Sequence, residues 1–441
     1  MSVTTSSQLS DALDALARTD DKVHAYRHLL ISGAQAGAAD IHVGPQEPQI
    51  EGWPFAVKEV FDVTGVVTSG GSKAYEHRVP SKDAAVVERL RAAGGILVGT
   101  QIAHELTCGL DQPPTRNPWD LTCYPGGSSA GAGVSVAVGS ARFALGTDAA
   151  GSVRIPAAMT GTTGLKPTWG LISSQGVMRQ ASAPSIDHVG IIARSAAEIT
   201  RILPILAGPD PWDKATLQSR AAYGDTPRPA DNIAVLGTAT LEAIAQAYDL
   251  DSETKSAFSA ACNVFHQTGA EVVEIDVPTL PLAVDAIVTF FATELACANA
   301  DALMKRRDDF SPAVTEMIDS GLEIPEDQLL SAIEIRSQLR QELTHALKEA
   351  DAQALLTPTT PRPAMPLADF DPTQELASLI PFTCGFNLTG HPAISLPCGQ
   401  TQKGMPIGLQ IVGHHYKETS LLKLADVFQK LTHWHELRPP V

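Results

Sequence analysis

Apolar residues recur near the helical period over residues 7–35, at Leu9, Leu13, Leu16, Val23, Tyr26, Leu29 and Leu30, and predict a helix there. A loop rich in Gly, Pro and Gln is expected over 44–52. Residues 54–63 then predict a short strand carrying Lys58. Residues 83–93 read as a helix ending at Gly94-Gly95, and 96–98 as a buried strand stopped by Gly99. Helix, Gly-Gly and apolar strand in that order are the mark of an α/β protein with largely parallel strands. Small apolar residues over 129–138 suit a helix packed closely on a sheet, and 143–145 reads as a strand. A helix is expected over 193–206, with a break marked by Pro204, Gly208, Pro209 and Pro211.

Residues 212–350 carry fewer glycines and read as more helical, with 331–350 amphipathic. An apolar strand starts at Ala354, and two more buried-strand patterns lie at 387–396 and 406–413. No internal repeat interrupts this order. The pattern predicts one domain over 1–441: a core at about 50–210, a helical insertion at about 212–350 and a return to the sheet at about 354–430.

Composition narrows the class. The chain has 441 residues, 44% apolar and 18% charged, which is ordinary for a globular protein with a large core. A formal net charge of −17 argues against nucleic acid or an acidic membrane surface as the main partner. No secretory leader and no run of about 18 apolar residues is read, so a cytoplasmic location is expected. The six cysteines form no Cys-x-x-Cys pair and read as reduced thiols. Cys108 and Cys123 precede glycine-rich loops, but neither has a histidine at a spacing that suggests a thiol nucleophile.

The informative chemistry is in two glycine-serine clusters, Tyr124-Pro-Gly-Gly-Ser-Ser-Ala-Gly131 and Gly146-Thr-Asp-Ala-Ala-Gly-Ser-Val-Arg-Ile-Pro156. Such loops are poor helix or strand interiors and suit a place where bare N–H groups face a ligand. Amide hydrolysis needs a strong nucleophile, a held oxyanion and a protonated leaving amine. Ser152 fits the nucleophile, with N–H groups of Ala149, Ala150, Gly151 and Ser152 as oxyanion donors. Pro156 fits the first turn of a helix starting just after Ser152. Lys58 lies among Val57, Val60 and Phe61, where burial would lower its pKa and make it a base. Ser128 then relays the proton between Ser152 and Lys58, a variant of triad logic. Ser129 reads as a supporting hydrogen-bonding residue, and Asp148 with Arg154 as a structural pair holding the Ser152 loop.

These motifs resemble the amidase signature family. Further matches are Ala56-Val-Lys-Glu59, Gly164-Leu-Lys-Pro167, Ser185-Ile-Asp-His-Val-Gly190, Leu356-Thr-Pro-Thr359, Asn387-Leu-Thr-Gly-His-Pro and Pro406-Ile-Gly-Leu-Gln-Ile-Val-Gly. The resemblance implies a large mixed, mostly parallel sheet of about eleven strands with helices on both faces. It implies Lys58 as base, Ser128 as bridging serine after a cis Gly127–Ser128 bond, and Ser152 as nucleophile. It also implies a small carboxamide or ureide substrate, a homodimer, and no cofactor or metal. Two departures stand out. Ala150 replaces a usual glycine, which would strain the loop if that position needs positive φ. The stretch 176–188 is about two residues longer than the family pattern. It carries Arg179 near an expected pocket rim, with Cys108 and Tyr124 as further possible substrate contacts; the pocket is expected from 107–111, 178–187 and 290–385.

Other readings compete. Gly127-Ser-Ser-Ala-Gly131 fits a nucleophile elbow centred on Ser129, yet residues 117–125 are poor material for the strand that an elbow requires. The glycine-rich loops lack the Gly-Lys-Ser/Thr of a phosphate site. Lys58 also fits a plain ion-paired lysine beside Glu59 or Asp62. His104-Glu105 has no second histidine at metal-binding spacing. Asp187-His188 reads as core hydrogen bonding rather than a dyad. Within the family, the alternative is the glutaminase (A) subunit of a tRNA-dependent amidotransferase, although residues 375–380 do not resemble the segment expected there. A catalytically dead binding subunit is disfavoured because all three catalytic positions are filled.

Overall fold

The computed structural model describes residues 2–32, 34, 50–221 and 232–441, so the loop expected over 44–52 lies mostly outside the described residues. Among the described residues eleven strands form one sheet: β1 Tyr26–Leu29, β2 Pro54–Lys58, β3 Ile96–Gln101, β4 Phe143–Thr147, β5 Thr163–Lys166, β6 Val189–Ala193, β7 Asn232–Leu236, β8 Glu271–Ile275, β9 Ala352–Pro358, β10 Ala393–Gln400 and β11 Pro406–Gly413. Their order is β1-β3-β2-β4-β6-β5-β10-β11-β9-β7-β8.

The sheet is mixed, and the expected parallel pairing is confined to its flanks. β2 pairs parallel with β3 and β4, and β7 with β8 and β9. From β4 through β6, β5, β10 and β11 to β9 every pair is antiparallel. Short connections explain the centre: β10 returns directly into β11, which only an antiparallel pair permits. Adjacent residues on the central strands enter different cores. Leu356, Ile394 and Ile411 join one apolar cluster with Phe265 and Phe428, while Leu355, Ala393 and Val412 join another with Ile155 and Leu343. Period-two alternation with both faces covered is what makes these strands read as continuous apolar runs.

Several sequence expectations change. The first helix is Ser2–Val23, not 7–35; Tyr26–Leu29 is instead an edge strand antiparallel to β3. Gly99 does not stop β3. It lies inside the strand, where a Cβ would come 2.5 Å from the His28 carbonyl oxygen of β1, so glycine is what lets the edge strand dock. The helix expected from 193 begins at Ala196, capped by Ser195 Oγ accepting from Glu198 N–H, and Ala193 ends β6. The insertion is not wholly helical. It supplies β7 and β8, and β8 forms the far edge of the sheet with Glu271 and Glu274 exposed, a charged edge that discourages pairing with other chains.

One helix bears on the question of membrane spans, although it holds no unbroken run of 18 apolar residues. Leu280–Asp309, with mean hydropathy 1.6, is among the described residues the one helix long and apolar enough to cross a membrane. Within the fold, Ile287, Leu295 and Asn299 are buried, and the helix packs on Pro312–Glu323 and Glu326–Glu349, as a core helix does.

Candidate active site

Lys58 ends β2 and Thr147 ends β4. These strands are parallel neighbours, so both side chains reach the same end of the sheet, where open α/β sheets commonly hold their sites. Lys58 is fully buried. Its Nζ donates to Ser128 Oγ at 2.8 Å and to Thr147 Oγ1 at 3.0 Å. The plain ion-pair reading fails. Glu59 accepts from Arg27 Nε at 3.0 Å, and Asp62 from Arg78 Nη1 at 2.6 Å, so neither carboxylate is left for Lys58. Burial pushes the amine down to about 8; Asp187, Asp148 and Glu59 oppose that push. Relative to an ordinary lysine, the charged amine is disfavoured here and the free base is correspondingly easier to reach.

The peptide bond between Gly127 and Ser128 is cis. Ser129 N–H donates to the Ser152 carbonyl at 3.3 Å, which sets the two serine loops side by side. Ser129 itself is buried at the start of helix Ala130–Val138, its Oγ donating to the Thr147 carbonyl at 3.3 Å. No strand runs directly into it, since a short helical turn at Glu105–Thr107 and a loop separate it from β3, so the elbow geometry is absent. Ser152 is half-buried, just before helix Arg154–Thr160, whose first turn includes Pro156.

Asp148 and Arg154 are both fully buried and form a bidentate pair, Nη2 to Oδ1 at 2.8 Å and Nε to Oδ2 at 2.9 Å. Burial alone would raise the Asp148 pKa, but the Arg154 guanidinium overrides it and holds the carboxyl well below the usual range. Arg154 also donates to Thr383 O, Gln410 Oε1 and Asn387 Oδ1. Asn387 Nδ2 returns a bond to Asp148 Oδ1 at 2.9 Å. Thr383 Oγ1 donates to the Ala150 carbonyl at 2.6 Å. The Ser152 loop is thus held by groups from distant segments.

This corrects the expected oxyanion donors. Gly151 N–H donates to Asp148 Oδ1 at 2.8 Å and is occupied. The N–H groups of Ala149, Ala150 and Ser152 have no such partner among the described residues. The concern over Ala150 also resolves. Its φ is not positive, whereas Gly151 has φ 137°, so glycine is kept where left-handed backbone requires it.

The other candidate side chains are already engaged or lie apart from this centre. Cys108 is buried with its thiol pushed up by burial, and Cys123 is also buried with its thiol raised, as expected of inert cysteines. Tyr124 is buried, stacked on Phe370 at 4.1 Å, its hydroxyl 3.2 Å from His104 Nε2, so its polar atom already has a partner. Arg179 is exposed. His188 Nδ1 donates to the Ile186 carbonyl at 2.8 Å, and burial keeps the ring neutral. The Asp187 carboxylate accepts from Ser182 Oγ and from His188 N–H, so the two side chains form no dyad. An open groove of about 870 Å³ lies between the three long insertion helices, with Leu110, Thr373 and Ala377 on its rim.

Sequence reasoning gave no role to Thr147, Thr383, Asn387 or Gln410. A signal existed for Gln410, a polar amide inside the buried run of β11. The family profile described as Amidase matches residues 8–422. Among curated relatives, the A subunit of the glutamyl-tRNA(Gln) amidotransferase of Roseiflexus sp. (strain RS-1) is 34% identical, covering 99% of this chain and 95% of that protein. A chain solved in a study of a vestigial protein complex and the origins of an s-triazine catabolic enzyme superposes with TM-score 0.84 at 28% identity, covering 98% and 96%. A 6-aminohexanoate cyclic dimer hydrolase superposes with TM-score 0.86 at 25% identity, covering 99% and 95%. With a match over nearly its whole length and a sheet of the same architecture, the chain belongs to the amidase signature family.

Proposed function

We propose that the protein hydrolyses the C–N bond of a small carboxamide or ureide through an acyl-enzyme on Ser152. The observation that carries this is a lysine buried at the end of β2, 2.8 Å from a serine hydroxyl and, among the described residues, with no carboxylate in ion-pair contact. The free Lys58 amine takes the Ser128 proton as Ser128 takes that of Ser152. Ser152 Oγ bonds to the carbonyl carbon, and the oxyanion is held by N–H groups of Ala149, Ala150 and Ser152. The proton returns along the same route to the leaving nitrogen as the C–N bond breaks. Water then hydrolyses the ester, giving the acid and freeing Ser152. No step calls for a cofactor or metal, and the enzyme is expected to act in the cytoplasm.

A second reading makes glutamine the amide and passes the ammonia to a partner protein. The names of the curated relatives favour it, since they are A subunits of glutamyl-tRNA(Gln) amidotransferases. Against it, residues 375–380 do not resemble the segment that the family resemblance leads one to expect in that subunit. The two readings share the chemistry at Ser152 and differ in acyl donor and assembly. Ammonia release is measured from glutamine, other primary amides and ureides, with the chain alone. Turnover of a non-amino-acid amide, with the size of the isolated chain in solution, supports the stand-alone enzyme. Glutaminase activity that appears only with partner subunits supports the second reading.

A further inference from the structure

A second, smaller cavity of about 130 Å³ lies beside the Lys58 contact. Thr147, whose Oγ1 touches Lys58 Nζ, lines it together with Ser182, Asp187 and His188. Its outer part is formed by Trp169, Asp213 and Ala215. We propose that Asp187 is a positioning residue whose charge, set at this cavity beside the Lys58–Thr147 contact, fixes the pH at which Lys58 becomes a free base. This inference rests on the reading of Lys58 as the base.

Asp187 is held where this requires. Its Oδ2 accepts from Ser182 Oγ at 3.1 Å and its Oδ1 from His188 N–H at 3.0 Å. The segment before it is clamped by the insertion. Glu294 Oε2 accepts from Ser185 N–H at 3.0 Å, Arg336 Nη2 donates to Ser185 O at 2.8 Å, and Asn299 Nδ2 donates to Gln180 O at 2.9 Å. Thr107 Oγ1 donates to Ala181 O from the opposite side. The stretch 176–188 is therefore an anchored arm that places one carboxylate at the cavity lined by Thr147, the residue that Lys58 Nζ touches.

The charged and titratable groups around the pair are few. Lys58 feels Asp187, Asp148 after β4, and Glu59 next to it in the chain. Asp148 is neutralised by Arg154, and Glu59 is paired with Arg27. Asp187 feels Lys58 and Asp148, and its neighbour His188 stays neutral beside Lys166 and Arg154. Asp187 and Lys58 thus act on each other across the Thr147 end of the cavity, while Asp213, on its outer part, accepts from Ser174 N–H and Oγ. Burial raises its own pKa, to about 7, more than the Lys58 ammonium lowers it, so the two groups titrate as a pair. A carboxylate favours the charged amine. Removing its charge makes Lys58 easier to deprotonate.

The test needs no known substrate. Phenylmethanesulfonyl fluoride labels the full-length protein: Ser152 Oγ bonds to sulfur, fluoride leaves, and the hydroxyl proton passes to Lys58. The second-order labelling rate is measured from pH 5.5 to 10, with the site read by peptide mass. In Asp187→Asn the acidic limb moves down by about one pH unit. Asp187→Glu restores the wild-type midpoint, which a merely structural role does not predict. Ser182→Ala, which weakens the support of the charge without removing the Asp187 side chain, moves the limb the same way by a smaller amount and serves if Asp187→Asn does not fold. An unmoved limb in Asp187→Asn and Ser182→Ala, with the wild type still labelled at Ser152 along a clear limb, overturns this proposal alone. A wild type labelled elsewhere, or with no limb, overturns the reading of the site as well.

Discussion

Arg154→Met tests whether the Ser152 loop depends on its buried ion pair. Methionine fills much of the arginine's volume but leaves the Asp148 carboxylate buried without its main cation. It also strips a donor from Thr383 O, Gln410 Oε1 and Asn387 Oδ1. Breaking one side of a buried pair typically costs about 3–5 kcal/mol, because the surviving charge is uncompensated. Lys166 lies near enough to offset part of it.

The pH dependence carries a sign. In the wild type the folded Asp148 pKa lies below the unfolded value. Its stabilisation is therefore full above about pH 4 and is lost only as pH falls through the lower folded value. Without Arg154, burial dominates and the folded pKa rises above the unfolded one. The defect is then largest at pH 8 and shrinks as pH falls through the new value. Urea unfolding followed by tryptophan fluorescence at pH 8 and pH 5 gives both numbers. Asp148→Asn combined with Arg154→Met recovers part of the loss. A single variant within about 1 kcal/mol of wild type at pH 8, or a defect that grows on acidification, would refute the reasoning.

Other outcomes follow from the same geometry. Ala150→Gly leaves Ser152 labelling within about three-fold of wild type, because Ala150 already has an ordinary backbone angle. Gly151→Ala loses it by more than about 100-fold, since a Cβ at φ 137° meets Thr383 Oγ1 at 2.5 Å and Ile155 Cδ1 at 2.7 Å. Thr383→Val, which removes the donor to the Ala150 carbonyl, slows labelling by about ten-fold while circular dichroism stays native. Ser129→Ala keeps measurable labelling at Ser152, as its hydroxyl only supports the turn; a Ser129 variant with no adduct at all would return the elbow reading.

The groups that the fold brings together were legible in the chain: Lys58 meets Ser128, and the Ser128 and Ser152 loops lie side by side. Glycine and serine crowd two loops for a backbone reason, and a lysine within an apolar strand must be either partnered or functional. The three groups therefore stand out from local pattern alone. The braces do not. Asn387, Thr383 and Gln410 come from a different end of the chain, and only the fold brings them to Arg154. Asp187 lies in a recognised motif, but its distance from Lys58 in sequence hides its field. Local pattern also fails where two periods coincide: Tyr26 and Leu29 continue a helical repeat, yet the paired edge against β3 outweighs it once Gly99 opens the space. β7 and β8 escape notice because each is a short strand within a largely helical stretch.

The central claim is that Lys58 acts as a neutral amine feeding two hydroxyls. Its most direct measurement is the rate of sulfonyl fluoride labelling at Ser152 against pH, in the wild type and in Lys58→Ala. Burial puts the amine near 8, so the wild-type rate climbs through that pH and then levels. Lys58→Ala falls by more than about 1000-fold and loses the climb. A Lys58→Ala protein that labels Ser152 at the wild-type rate, or a wild-type profile that rises only near about pH 10, where an ordinary lysine titrates, contradicts the account.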